Sequence, residues 1–273
     1  MIPKRYITQW LSKAPWPSLS QVEQDLIVSR AIIAIFNSPF LKTHLVFRGG
    51  TALNKLFFNP SLRYSEDIDL VQYKPGAIGD LMTEIRQVLD PWLGMAKYKQ
   101  GQGRVTFFYQ FETENAPIKT MKVKVEINTR EHGSVLDLIE KPFTVENGWY
   151  SGKANVHTYA LEELIATKLR ALYQRRKGRD LFDLYHVLLK YPTLNIDDII
   201  RSFMSYLNKE SLSVSRAEFE KNMFQKIQNR LFEGDILPLL SPNISYDQTQ
   251  AYALVHKEII SKIPGQPWEG LKD

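Results

Sequence analysis

The chain has 273 residues, with 35 Lys or Arg against 30 Asp or Glu and a formal net charge of +5. That length fits one large or two ordinary domains. The absence of Cys excludes disulfides, thiolate metal sites, iron–sulfur clusters and cysteine nucleophiles. The longest apolar run, 31–36, falls far short of the ~20 residues a spanning helix needs. The charged N-terminus is followed by no signal-type apolar stretch. A soluble, cytoplasmic protein with no membrane partner is expected. The basic balance permits a nucleic-acid partner without demanding one.

In chain order, Ser20 to Glu23 reads as a capping box at the start of a helix that Pro39 stops near residue 37. A short apolar strand at 44–47 is cut by Gly49-Gly50, and a helix follows over 51–58. A second strand at 68–71 precedes a helix over 78–89. Strands are expected at 104–112, rich in aromatics, and at 121–128, where apolar and polar residues alternate. From residue 159 onward only helices are expected, over 161–174, 180–190, 197–207, 215–232 and 246–262. Ser215 and Glu218 form a second capping box. A boundary near 158 therefore divides the chain. Residues 1–158 form an α+β half with a mixed sheet, and 159–273 an all-helical half.

Asp67 and Asp69 sit two apart on a strand, so both carboxylates face one side while Ile68 and Leu70 face the core. Such a pair repels itself unless a cation intervenes, and Mg²⁺ accepts one or two carboxylates plus substrate phosphates. Alone, the pair also fits a solvated strand edge. Some twenty residues upstream, Gly49-Gly50 lets backbone amides approach a ligand, and the helix from Thr51 points its positive end there, an anion site. Alone, that feature also fits a plain strand-to-helix turn.

The combination Gly-Gly-Thr-Ala-Leu at 49–53 and Arg-x-Ser-x-Asp-Ile-Asp-Leu at 63–70 resembles a known family. It is the AbiEii/AbiGii-type toxin branch of the polymerase-β-like nucleotidyltransferases, toxins of type IV toxin–antitoxin and phage-defence systems (MenT-like). The resemblance spans roughly 40–190. It implies a nucleotidyltransferase core followed by a helical domain, and an enzyme that uses two Mg²⁺ ions, with Mn²⁺ an alternative. Asp67 and Asp69 match the metal-holding pair. Glu126 is the candidate third carboxylate; a general base or a plain surface position with Lys122 and Lys124 fits it equally. Gly49, Gly50 and Thr51 would take the β- and γ-phosphates. Arg63 would add a phosphate contact or serve as a surface salt-bridge partner. Ser65 would satisfy strand-end amides or touch phosphate.

The second motif is Lys168, then Arg179-Asp180-Leu181-Phe182-Asp183-Leu184. An apolar stripe of Leu161, Leu164, Ile165, Leu169 and Leu172 sets Lys168 beside the buried face. Gly178 suits the end of one helix, and Asp180 the start of the next. By resemblance, Lys168 would contact nucleotide phosphate and Asp180 would complete the catalytic set. From 168 to 179 there are six basic residues and no acidic one, so the rest of the chain sums to −1. Arg170, Arg175, Arg176, Lys177 and Arg179 form either an RNA-binding face or a solvated one.

The resemblance implies transfer of a nucleotide from an NTP to an acceptor, for which the 3′ end of tRNA is expected. Translation would be blocked, and a cognate antitoxin would restrain the toxin. The alternatives are transfer to a protein hydroxyl or a small molecule, and a non-catalytic nucleotide- or RNA-binding module. A kinase is disfavoured, because neither a Gly-x-Gly-x-x-Gly loop nor a Walker lysine follows the glycines.

Overall fold

The computed structural model describes residues 2–270, and the chain divides into two compact units, one up to residue 159 and one from 160 on. None of the described helices is long and apolar enough to cross a membrane.

The first unit is built on one mixed seven-stranded sheet. Its strands are β1 (Leu45–Arg48), β2 (Asp67–Gln72), β3 (Lys97–Gly101), β4 (Arg104–Glu112), β5 (Thr120–Asn128), β6 (Leu138–Glu146) and β7 (Ser151–Tyr159). Their order is β3-β4-β5-β2-β1-β7-β6. Strand β2 runs parallel to β5 and β1 parallel to β7, while the remaining neighbours are antiparallel.

Helices α1 (Lys4–Trp10), α2 (Leu19–Asn37), α3 (Pro39–His44), α4 (Gly49–Phe57) and α5 (Gly79–Leu93) complete the unit. Val105, Phe107, Tyr109, Val123, Val125 and Ile127 alternate onto a wholly buried face, where α2 and α5 pack against β5 and β4. Asp25 of α2 ties elements together: its carboxylate accepts from the indoles of Trp10 (2.8 Å) and Trp16 (3.0 Å) and from Lys55 Nζ of α4 (2.8 Å). Arg30 lies over the rings of Trp92, Trp149 and Tyr150, 4.1 to 4.9 Å from their centroids, which links α2 to α5 and to the β6–β7 turn.

The second unit holds α6 (Leu161–Gln174), α7 (Gly178–Lys190), α8 (Ile196–Lys209), α9 (Arg216–Ile227), α10 (Arg230–Gly234) and α11 (Gln248–Glu258). Helix α6 packs on α7 and α8, and α7 on α11.

Several local expectations are corrected. The first cap is Ser18, not Ser20; its amide donates to Gln21 Oε1 at 3.2 Å, and Glu23 is buried instead. Strands β3, β6 and β7 lie where none was expected. Strand β3 is exposed along its length, and β6 carries Pro142, which a sheet tolerates at an edge. The helix expected over 215–232 breaks after Ile227 because Asn229 caps a new one, its side chain accepting from the Leu231 amide. Gly178 opens α7 rather than closing α6. A Cβ there would lie 2.0 Å from the Phe232 carbonyl oxygen, so close backbone approach demands glycine.

Candidate active site

Strand register assembles the first constellation. Arg48 pairs with Asp69 across β1 and β2, while Asp67 pairs with Lys124 and Asp69 with Glu126 across β2 and β5. Paired residues of adjacent strands share a face, so two cations and three carboxylates meet on one side of the sheet centre. Lys124 Nζ lies 3.0 Å from Asp67 Oδ2 and 3.9 Å from Glu126 Oε2. Glu126 also accepts from the Thr106 hydroxyl at 3.3 Å. Arg48 is held by an ion pair to Glu131, in the loop after β5.

Asp69 keeps a partly exposed edge but is crowded by protein. Burial raises its pKa, Asp67 adds to the rise, Lys124 and Arg48 oppose it, and Glu126 raises it again; the net direction is upward. For Lys124, burial works downward, but attraction to Asp67, the hydrogen bond to it, Asp69 and Glu126 carry the ammonium above its ordinary value. Asp69 is therefore held high chiefly by burial, and Lys124 supplies part of the positive charge that opposes the rise.

Glycine is required at the turn. Gly49 has φ +84°, and a Cβ there would stand 2.4 Å from Asp69 Oδ2. Asp69 is thus seated against the N-terminus of α4, where first-turn amides lack intrahelical acceptors. The Thr51 side chain is buried; its hydroxyl donates to the Asp67 carbonyl and meets Ser65 Oγ at 2.7 Å. Thr51 and Ser65 therefore bolt α4 to the start of β2, leaving a ligand contact to the backbone of the turn. Arg63 is buried, not a surface residue, and donates to the Tyr64 carbonyl at 3.1 Å.

In the helical unit, Lys168 is buried, with Nζ 3.2 Å from Asp180 Oδ1 and 2.8 Å from Asp183 Oδ2. Arg175 adds a bidentate pair to Asp180, at 2.7 and 2.8 Å. Burial pushes the Asp180 carboxyl up, but Lys168 and Arg175 overcome it and hold the carboxyl below its ordinary range. The basic run is largely matched inside its own unit: Arg170 with Glu210, and Lys177 and Arg179 with Asp235. Arg176 is exposed and has no ion pair among the described residues. Tyr173 packs on Phe219, ring centroids 5.4 Å apart.

Sequence reading placed Asp67 and Asp69 on one face of their strand and named Glu126 as a third carboxylate by resemblance, but passed over Arg48 and took Lys124 as ordinary alternation. Period-two alternation does put Lys124 beside Glu126. Only the parallel β2–β5 register brings it onto Asp67, and no local pattern carries that.

The donor set suits a hard cation. It offers carboxylate oxygens alone, and two carboxylates completed by substrate phosphates is the arrangement Mg²⁺ adopts. Three carboxylates against two cations on this face fit the same ion. Among the described residues no three acidic or histidine side chains already form a metal cage.

The family described as nucleotidyl transferase AbiEii toxin, type IV toxin–antitoxin system, matches residues 30–253. No curated protein matches the chain in sequence. Among solved structures, MenT4, a nucleotidyltransferase toxin from Mycobacterium tuberculosis H37Rv, aligns with TM-score 0.67 at 17% identity, over 96% of this chain and 89% of that one. A protein titled putative nucleotidyltransferase from H. pylori aligns with TM-score 0.51 at 18% identity, over 89% and 98%. At such identities the likeness shows the fold, a mixed sheet with helices of nucleotidyltransferase type. The family match extends over most of the sequence, and the chain belongs to the AbiEii nucleotidyltransferase toxins of type IV toxin–antitoxin systems.

Proposed function

We propose that this nucleotidyltransferase moves a nucleotide from an NTP to the 3′ hydroxyl of an RNA, tRNA being the preferred acceptor, and so blocks translation until a cognate antitoxin restrains it. One observation carries the reading: Asp67 and Asp69 share one face of β2, and Asp69 stands against Gly49, where a larger residue would displace its carboxylate. A phosphate chain laid on the first turn of α4 would meet backbone amides and the helix dipole, beside the paired carboxylates. Asp67 and Asp69 would hold divalent ions, two in number, and Glu126 either shares them or takes the acceptor's proton. Bound there, Mg²⁺ or Mn²⁺ would stabilise the charge that builds on the phosphate oxygens.

The acceptor hydroxyl attacks the α-phosphorus, its proton passing to a carboxylate, as the bond to pyrophosphate breaks. Gly49, Gly50 and Thr51 amides hold the departing phosphates, and Arg48 offsets the charge around Asp69. A phosphate contact from Lys168, with Asp180 fixing it, belongs to the same proposal. So does an RNA contact from the basic run, for which Arg176 is best placed. The test is incubation with Mg²⁺, total tRNA and each α-labelled NTP in turn. Label in RNA supports the acceptor, label in protein alone overturns it, and label in neither overturns the whole reading.

A further inference from the structure

The sheet face that carries the acidic pair continues to the free edge of the sheet, partly exposed along the Asp67 row and fully exposed at β3. Register extends the Asp67 row through Lys124 and Phe108 to Lys97, and the Asp69 row through Glu126 and Thr106 to Lys99. The next row runs from Asn128 through Arg104 to Gly101. Lys97, Lys99 and Arg104 are exposed, Phe108 is half-buried, and the small Thr106 side chain lies buried among its neighbours. Neither lysine has an ion-pair partner among the described residues. Over these rows the strands beyond β2 carry four cations and one acid, Glu126. Three strand spacings separate Asp69 from Lys99, about 14 Å, a distance that a short single strand spans.

We propose that this face of β3, β4 and β5 is the track along which a single-stranded RNA 3′ end reaches the acidic pair, with Lys97, Lys99 and Arg104 on its phosphates and Phe108 under a base. The inference rests on RNA being the acceptor. Charge complementarity commits it to a polyanion. The buried opposite face leaves no room for one, whereas this face combines spaced cations with an aromatic platform, the two elements of sequence-tolerant single-strand binding. The basic run at 168–179 is a weaker candidate, because five of its six cations already sit in ion pairs. Lysines on an exposed edge strand also guard against edge-to-edge association. That role would not need an aromatic on the same face, nor rows leading to the acidic pair.

The test is fluorescence anisotropy of a labelled single-stranded oligoribonucleotide of about a dozen nucleotides with the full chain, at several salt concentrations. Lys97→Ala/Lys99→Ala is expected to bind on the order of tenfold more weakly, with a log–log salt slope shallower by about 1.4, two contacts at about 0.7 each. Phe108→Ala should weaken binding roughly tenfold while keeping the slope. Thermal unfolding and gel filtration show whether each variant keeps the fold and remains unassociated. If the wild type binds RNA and the lysine variant binds it equally, the track is wrong and the RNA reading survives. Should that variant also self-associate, the lysines are edge guards only. A wild type that binds no RNA overturns the acceptor reading and the track with it. If the variants lose transfer to a protein acceptor instead, the face serves a polypeptide and the proposal fails.

Discussion

Lys124 and Asp67 are 3.0 Å apart on neighbouring parallel strands, so the acidic face carries its own cation. A divalent ion arriving there competes with that ammonium. Lys124→Met should therefore bind Mn²⁺ more tightly, by roughly five- to tenfold for one unit charge a few ångströms away in a partly solvated site, as read by calorimetry without nucleotide. Weaker binding would show that Lys124 assists the ion. Lys168 makes a different case. It is buried between Asp180 and Asp183, and Lys168→Met removes the ammonium that these two buried carboxylates share. A stability loss of about 3–5 kcal/mol is expected from urea unfolding, so any loss of turnover must be read against that. Lys226 is buried and donates to the carbonyls of Leu172 and Tyr173 at the end of α6. Burial pushes its ammonium down to about 8, with Asp180 opposing and Arg176 assisting. The unfolded chain keeps that proton to about pH 10.4. Between these values the unfolded state binds more protons, so stability rises with pH. Relative to Lys226→Met, the wild type should gain about 1–3 kcal/mol from pH 8 to 10, seen in urea midpoints; a flat difference contradicts this account. Asp67, Asp69 and Lys168 were legible in sequence because strand alternation and a helical stripe are local. The pairing of Lys168 with Asp180 and Asp183 was not read from the motif that holds all three, and the partner of Lys177 and Arg179, more than fifty residues on at Asp235, carries no local signal.

At the scale of elements, the β1–α4 turn makes the site. Gly49→Ala would drive a Cβ to 2.4 Å from Asp69 Oδ2 at a φ of +84°, so the carboxylate or the helix start must move. Transfer should fall at least a hundredfold, since an ångström of misplacement costs about that much, while the fold persists; single-turnover rates beside circular dichroism check it. Wild-type rates would show that the turn only relieves sterics. Asp25→Ala in α2 removes the acceptor of two indoles and strands Lys55 of α4, a cost of about 3–5 kcal/mol measurable by thermal unfolding. The β1, β2, β4 and β5 strands and most helices were readable from periodicity and capping. Strands β3, β6 and β7 were not, because β3 is polar and exposed and β6 holds Pro142 at a sheet edge. Without β3, the rows across the sheet end at β4, and Lys97 and Lys99 belong to no surface.

Over the whole molecule, the net charge of +5 proves to be arranged differently from its sequence clustering. The run at 168–179 is dense in cations, yet Asp180, Asp183, Glu210 and Asp235 meet most of them. The unpaired cations at Lys97 and Lys99 lie far away in sequence, on a strand that composition does not reveal. Arg175→Ala should therefore lower stability, whereas Arg176→Ala should leave unfolding unchanged and reduce RNA affinity by a few fold; paired melts and anisotropy titrations separate the two. Metal-dependent nucleotide transfer is proposed to rest on Asp67 and Asp69, and it is measured as label incorporation from α-labelled NTP into tRNA by wild type, Asp67→Asn and Asp69→Asn. Both variants should stay folded and lose at least a hundredfold in rate, comparable to removing a charged catalytic group, and chelation of Mg²⁺ should silence the wild type. Label that persists in RNA with either asparagine variant would contradict the account.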